Sequence, residues 1–153
     1  MKKEDKELLL KDLSARLPYE VKVQVPKRIS INPLRVYAIE QMYESTFYCE
    51  RNGWLCKFWN ETFARIDEVK PYLRPMSSMT EEERKEYYST QSEYTHRIYP
   101  DSADFSEHTE YSWTAKTIDW LNANHFDYHG LIPKGLALEA PKDMYNEIEE
   151  EKK

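Results

Sequence analysis

The segment FYCERNGWLCKFW, at residues 47–59, constrains the fold more than any other stretch of the chain. Asn52-Gly53 is the preferred pair for a two-residue type I′ turn, because both central residues of that turn take a positive φ. Apolar and polar residues alternate on both sides of the turn, so one face of the resulting β-hairpin is apolar. The segment therefore predicts a hairpin that covers a hydrophobic core and places Cys49 opposite Cys56.

Both cysteines of the chain lie in this predicted hairpin. In a hydrogen-bonded antiparallel pair their Cα atoms are about 5.5 Å apart, a distance that permits a disulfide. A reducing compartment and aromatic neighbours favour two buried thiols instead. A zinc site needs two further ligands nearby, and no CxxC spacing supplies them. We therefore expect reduced core cysteines, and the sequence predicts no cofactor.

Further short strands are predicted on both sides of the hairpin. Apolar and polar residues alternate over residues 19–25, an apolar pattern resumes over residues 34–43, and residues 63–69 have the composition of another β segment. Prolines mark the connections between these strands. Together the strands predict a small, strongly bent antiparallel sheet or an SH3-like barrel across residues 19–75.

Helices are predicted before this β unit and after it. Residues 3–17 place leucines at helical spacing among charged residues, and Pro18 ends that helix. A second helix begins near Ser78 or Thr80, because Ser78 with Glu81 and Thr80 with Glu83 each have the spacing of a capping box. A third helix occupies about residues 113–124. The first helix is expected to pack on its own domain, with a partner-binding helix as the alternative.

The chain is expected to form one α+β domain over residues 1–141. Its β unit covers about residues 19–75, and its helical part covers about residues 78–140. Residues 95–112 mix polar and aromatic side chains without a clear apolar period, and we expect a long surface loop there. The acidic tail, residues 142–153, has few apolar residues and is expected to fray.

The charge of the chain is unevenly distributed. Its net charge is −6, but residues 77–153 hold 17 acidic residues against 8 basic ones, whereas residues 1–76 hold 11 acidic against 14 basic. Contacts with phosphates depend on clustered positive charge, so the acidic second half argues against nucleic-acid binding there. The mildly basic first half leaves nucleic-acid binding open.

Several functional classes lack their sequence signals. With only 3 glycines, the chain has neither the GxGxxG nor the GxxxxGK[ST] loop that cradles nucleotide phosphates. No serine lies in a GxSxG motif. No apolar stretch approaches the roughly 20 residues that span a bilayer, and the charged start MKKEDKELLLKDL is unlike a secretory signal. We therefore expect a soluble, cytoplasmic protein without a membrane span.

Three long phrases resemble known sequences. DLSARLPYEVKV at residues 12–23, VKPYLRPMSSMTEEE at 69–83 and DWLNANHFDYHGLIPKGLALEAP at 119–141 are similar to uncharacterised small proteins encoded in prophages and other mobile elements of Bacteroides-type gut bacteria. The resemblance implies a phage-related or mobile-element origin and a cytoplasmic location, and it carries over no activity or catalytic residue. In that group Arg usually stands at the position of His129, and Glu at that of Pro133.

HFDYHGL, residues 125–131, places His125, Asp127 and His129 at every second position, and all three are potential metal ligands. All three share a face only in an extended strand, and the two histidines alone share one in a helix. The third helix is expected to end near Asn124, and Asp127 is placed to cap the turn that follows, so the two imidazoles should point in different directions. Arginine at position 129 could not ligate a metal. We interpret the segment as a structural joint, with a metal or acid–base site as the less favoured alternative.

Three functions remain, in order of preference. The first is a non-enzymatic accessory protein that binds a protein partner, since the 12 Tyr and 4 Trp are residues typical of interface anchors. The second is a nucleic-acid-associated factor whose basic β unit forms a groove for stacked bases. The third is a metal-dependent hydrolase, for which the sequence offers the less favoured metal site at residues 125–129 and the EVK triplets at 20–22 and 68–70. The groove residues of the second hypothesis are Lys22, Lys27, Arg28, Arg35, Lys57, Tyr37 and Trp59.

Overall fold

The computed structural model of the chain describes residues 1–41, 53–98 and 106–146. These residues form both helices and strands, which confirms the predicted α+β class. The helices predicted at 3–17 and 113–124 are confirmed with slightly shorter bounds. The helices are α1 (Lys3–Arg16), α2 (Glu81–Ser89) and α3 (Ala115–Ala123). The strands are β1 (Lys22–Gln24), β2 (Leu34–Gln41), β3 (Trp54–Phe58), β4 (Phe63–Arg65), β5 (Lys70–Leu73), β6 (Ser92–Ile98), β7 (Ser106–Ser112) and β8 (Leu138–Glu139).

Six strands form one open sheet in the order β4-β3-β2-β1-β5-β8. Neighbouring strands run antiparallel, except for the parallel pair of β5 and β8. Among the described strands, β4 and β8 are the two edges and do not meet, and the sheet is not strongly curled. The described sheet therefore has neither the predicted strong bend nor the predicted SH3-like barrel. Instead, β8 from the C-terminal part of the chain pairs with β5 and extends the sheet as an open edge. The β segment predicted at 63–69 is divided by a 3₁₀ turn, Ile66–Glu68.

The hydrophobic core joins α1 to the six-stranded sheet. Leu9 and Leu13 of α1 are fully buried, as are Val21 and Val23. Removing each of these side chains from water stabilises the fold by about 1.5–3 kcal/mol. The alternation predicted over residues 19–25 is confirmed for the buried valines 21, 23 and 25, whereas Tyr19 lies in a 3₁₀ turn and is half-buried. Only β1 within this segment has strand geometry. Further members of the core are Val25, Val36, Cys56, Phe58, Ala64, Ile66, Val69, Leu73, Leu131, Leu136 and Ala137.

β3 supplies the second arm of the predicted hairpin, whereas Asn52 of the turn and the first arm with Cys49 lie outside the described residues. Cys56 of β3 faces Ile39 of β2 on one side and Ala64 of β4 on the other. The prediction that Cys56 pairs across the ladder with Cys49 is therefore wrong, because β2 and β4 occupy both edges of β3 at this position. The Asn52-Gly53 pair indicates a local turn and does not specify the order of strands in the sheet. Cys56 is a free, buried thiol, and burial raises its pKa to about 12, as expected for a core cysteine.

A second, two-stranded sheet corrects the surface loop expected at residues 95–112. β6 and β7 pair antiparallel along their whole length, and residues 99–105 between them lie outside the described part of the chain. Tyr, Thr and Ile favour strands. Polar residues occupy positions on both faces of this sheet, so no apolar alternation marks the strands in the sequence.

The two shorter helices begin with capping boxes. At α2, Thr80 Oγ1 accepts a hydrogen bond from Glu83 N at 3.1 Å, and Glu83 Oε1 accepts one from Thr80 N at 3.2 Å, which confirms the second of the two predicted caps. Ser78 lies instead in a 3₁₀ turn before the helix, so the first predicted cap is wrong. At α3, Thr114 and Thr117 exchange the corresponding bonds. Thr114 Oγ1 also donates to Thr90 O at 2.7 Å. Because Thr90 follows α2, this bond ties the start of α3 to the end of α2.

Candidate functional site

α3 ends at Ala123 with Asn124 as its C-cap, which confirms the predicted end of the helix near Asn124. The left-handed residue at this end is the next one, His125, with a φ of 61°. Two backbone hydrogen bonds then hold the chain against the end of β5, because Arg74 N donates to His125 O at 2.7 Å and Asp127 N donates to Arg74 O at 2.8 Å. The segment after α3 is therefore fixed to the sheet on both sides of Phe126.

His125, Asp127 and His129 contact three different partners. The Asp127 carboxylate accepts hydrogen bonds from two backbone N–H groups of the following turn, at 2.8 and 2.9 Å, which confirms its predicted role as a cap. His129 Nδ1 lies 2.8 Å from Asp12 Oδ1, and the His125 ring stacks on Tyr145 with centroids 3.6 Å apart. Among the residues that the structure describes, no three His, Cys, Asp or Glu side chains are grouped closely enough to hold a metal ion.

His129 belongs to a buried charged network that joins α1 to the segment after α3. Arg16 donates to Asp12 through Nε at 2.8 Å and through Nη2 at 3.0 Å, and Nη2 also donates to Phe126 O at 2.6 Å. The side chains of Arg16 and Asp12 are fully buried. Burial alone raises the pKa of Asp12, but the hydrogen bonds with His129 and Arg16 lower it more, so this pKa stays below its usual value.

Tyr145 holds the last described turn against the sheet. Its hydroxyl accepts a hydrogen bond from Lys22 N of β1 at 3.1 Å and donates one to Tyr72 O of β5 at 2.7 Å. The hydroxyl therefore bridges two neighbouring strands. Residues 142–146, which the sequence assigns to a frayed tail, are docked on the sheet by this side chain.

His125 is a buried neutral base, with only 5% of its surface exposed. Burial, with a smaller contribution from the positive charges of Arg16, Arg74 and Lys22, lowers its pKa to about 3. Its Nδ1 is buried and has no hydrogen-bond partner among the described residues. The imidazole is therefore uncharged at neutral pH.

A cleft of about 890 Å³ lies beside His125, between the end of α3, the turn after α1 and the docked C-terminal turn. Arg74 in its wall binds Glu83 with two hydrogen bonds of 2.7 Å. Ser78 in the same wall donates its hydroxyl to a backbone carbonyl at 2.7 Å. Arg74 and Ser78 are thus engaged within the protein, and neither is placed as an anion-binding group or as an activated nucleophile.

The two aromatic residues of the predicted base-stacking groove lie together. Tyr37 of β2 and Trp59 after β3 stack with ring centroids 4.6 Å apart, and they remain 41% and 74% exposed. Lys57 lies on the neighbouring strand, where its Nζ binds Glu40 at 3.0 Å. The structure therefore brings together the stacking pair and one of the predicted cations.

The other cations of the predicted groove are dispersed. Arg28 binds Glu68 at 2.8 Å, and Lys22 Nζ donates to a backbone carbonyl of the C-terminal turn at 3.2 Å. Lys27 is exposed in the connection after β1, and Arg35 lies opposite Lys22 in the ladder. Arg28 and Lys22 are thus bound within the chain itself.

A larger group of aromatic rings lies across α2, β7 and the two ends of α3, and is termed the aromatic surface. Neighbouring rings are in contact, with centroid separations from 5.1 to 6.3 Å. Tyr88, Tyr111 and Trp113 remain 47%, 48% and 45% exposed. No spacing in the sequence predicts this group, because its members are brought into contact only by the packing of α2, β7 and α3. The members of the aromatic surface are Tyr87, Tyr88, Tyr111, Trp113, Trp120 and Tyr128.

Two indoles of the aromatic surface are fixed by hydrogen bonds. Trp113 Nε1 donates to the Tyr87 hydroxyl at 2.7 Å, and Trp120 Nε1 donates to Glu86 Oε2 at 3.2 Å. Trp120 also stacks on the fully buried Phe126, with centroids 5.5 Å apart. The exposed rings therefore rest on a layer of rings that is anchored to the protein interior.

Comparisons of the chain with protein-family models, curated proteins and solved structures find no match. In the part of the chain that the structure describes, no helix combines the length and the apolar character needed to cross a bilayer.

Proposed function

We propose that the protein is a non-enzymatic accessory protein whose aromatic surface binds a protein partner. The observation that carries this proposal is the exposure of Tyr88, Tyr111 and Trp113 within one connected group of rings. Contiguous large apolar side chains on a surface are typical of interaction sites, and Tyr and Trp contribute much of the binding energy there. A phage-related origin and a cytoplasmic location, both implied by the sequence resemblance, belong to the same proposal.

The anchoring of the aromatic surface supports its use in recognition. The hydrogen bond of Trp113 to Tyr87 and the stacking of Trp120 on Phe126 restrict the rotamers of these rings. A side chain that is already ordered loses less conformational entropy when a partner binds, so more of the contact energy appears as affinity. A rigid aromatic group is therefore a more effective docking site than the same residues on a loose loop.

A capture experiment with matched variants tests the proposal. The tagged protein, Trp113→Ala and Trp59→Ala are each used to capture proteins from a lysate of a Bacteroides-type host. Trp59 is the control, because it is an exposed indole that stacks on Tyr37 outside the aromatic surface. We expect one reproducible partner with the native protein and with Trp59→Ala, and its loss with Trp113→Ala, while thermal melting shows that both variants are folded. Equal recovery by all three proteins, or no reproducible partner, contradicts the proposal.

A second candidate function is the binding of single-stranded nucleic acid on Tyr37 and Trp59, and their exposed stacking favours it. Base–aromatic stacking contributes about 1–3 kcal/mol per base. We rank this function second because Lys57, Arg28 and Lys22 are bound within the chain, which leaves less positive charge for phosphates. In a gel-shift titration with a single-stranded oligonucleotide, Trp59→Ala should weaken binding and Trp113→Ala should not. The absence of any shift at low salt removes this candidate.

A further inference from the structure

We infer that the partner presents a basic, arginine-bearing segment to the aromatic surface. This inference rests on the proposed function and adds the chemistry of the partner to it. Residues 81–98 and 106–128 carry the aromatic surface, and without the buried cap Asp127 and the Arg74-bound Glu83 they hold seven acidic residues against four basic ones. Charge complementarity therefore favours a positively charged partner and disfavours an acidic one.

The two-stranded sheet places a carboxylate opposite a tyrosine on each of its faces. Glu93 faces Tyr111, and Glu110 faces Tyr94. The Cβ atoms of directly opposed residues lie about 4.5–5.5 Å apart. Because the Tyr111 ring also contacts Tyr88, at 5.1 Å between centroids, the Glu93–Tyr111 pair borders the aromatic surface. A cation above that tyrosine ring lies within reach of the neighbouring carboxylate.

The opposite end of the aromatic surface is acidic as well. Glu86 accepts the hydrogen bond from the Trp120 indole at 3.2 Å. Asp119, the neighbour of Trp120 in α3, is exposed. Carboxylates therefore border the aromatic surface at both ends. This is an arrangement for cations, because a neutral apolar partner would have to desolvate the carboxylates without compensation.

Arginine fits this arrangement better than other residues. Its planar guanidinium stacks on an aromatic ring while its N–H groups donate to a carboxylate. The protein already contains one such assembly, because the Arg74 guanidinium lies 4.3 Å from the Phe126 ring centroid and binds Glu83 with two hydrogen bonds of 2.7 Å. Among the described side chains, no cation lies over the three exposed rings of the aromatic surface. We assign the position over these three rings to arginine side chains of the partner.

Three synthetic peptides of equal length, in which serine alternates with arginine, lysine or glutamate, provide the test. Binding is measured by calorimetry at near-physiological salt, where the attraction between distant charges is largely screened. We expect the arginine peptide to bind, the lysine peptide to bind more weakly and the glutamate peptide not to bind. Trp113→Ala should lower the affinity for the arginine peptide about tenfold, as expected for loss of a desolvated cation–π contact. Glu93→Gln should also lower this affinity. Trp59→Ala is the control and should leave the affinity unchanged.

The outcomes separate this inference from the proposed function. No binding of the arginine peptide, or the same affinity for the native protein and Trp113→Ala, overturns the inference. Equal binding of the arginine and lysine peptides to every variant indicates attraction to net charge alone and overturns it too. If a captured partner depends on Trp113 but binds through a neutral or acidic segment, the proposed function stands and only the basic segment is wrong. If the captured partner does not depend on Trp113, the proposed function itself fails.

Discussion

Lowering the pH from 7 to 5 is expected to destabilise the protein through His125. In the unfolded chain an imidazole takes up a proton near pH 6.5, whereas burial lowers the pKa of folded His125 to about 3. Between these two values the unfolded state binds more protons, so the free energy of unfolding falls as the pH falls. The slope is about 1.4 kcal/mol per pH unit well inside this window. Integration from pH 7 to pH 5 gives a loss of about 2 kcal/mol.

Urea unfolding followed by tryptophan fluorescence, at pH 7 and at pH 5, measures this loss in the native protein and in His125→Asn. Asparagine does not titrate and tolerates the left-handed conformation that position 125 requires. Other histidines and the carboxylates titrate in both proteins, so their contributions cancel in the comparison. We expect the native protein to lose about 2 kcal/mol more than the variant. Equal losses in the two proteins would refute the assignment of His125 as a buried neutral base.

Three further experiments test the contacts that hold the C-terminal turn, the segment after α3 and the core. Tyr145→Phe removes the hydroxyl that bridges β1 and β5 and should cost about 1–3 kcal/mol in urea unfolding; an unchanged midpoint would contradict the bridge. His129→Ala removes a hydrogen-bond partner of buried Asp12 and should cost about 1–2 kcal/mol, whereas His129→Arg should retain most of the stability. Equal melting temperatures for these two variants would argue against the network. In a Cys49→Ser background, Cys56 should resist a thiol reagent until the protein unfolds, because burial raises its pKa to about 12; rapid labelling of the folded protein would show that it is not buried.

Features that depend on neighbouring residues could be predicted from the sequence. The capping box of Thr80 and Glu83, the end of α3 at Asn124 and the capping role of Asp127 all arise from short-range hydrogen bonds between side chains and backbone. The burial of the alternating valines of β1 follows from the two-residue period of a strand. In each case the residues that form the sequence pattern lie within a few positions of one another.

Features that depend on distant segments could not be predicted in the same way. Asp12 and Arg16 have the spacing of an exposed ion pair on a helix, and their burial depends on His129 and Phe126, more than a hundred residues away. The partners of Cys56 depend on the strand order of the whole sheet. The aromatic surface likewise forms only where α2, β7 and α3 pack together, and no periodicity along the chain predicts that packing.

Photocrosslinking from the aromatic surface in the host cell tests the central proposal most directly. A photoreactive phenylalanine derivative is incorporated in place of Tyr88, or in place of Trp59 as the exposed control. We expect one specific protein adduct from position 88, its loss when Trp113→Ala is added, and no such adduct from position 59. An adduct from position 59 alone, or an adduct from position 88 that persists with Trp113→Ala, would contradict a partner-binding role for the aromatic surface.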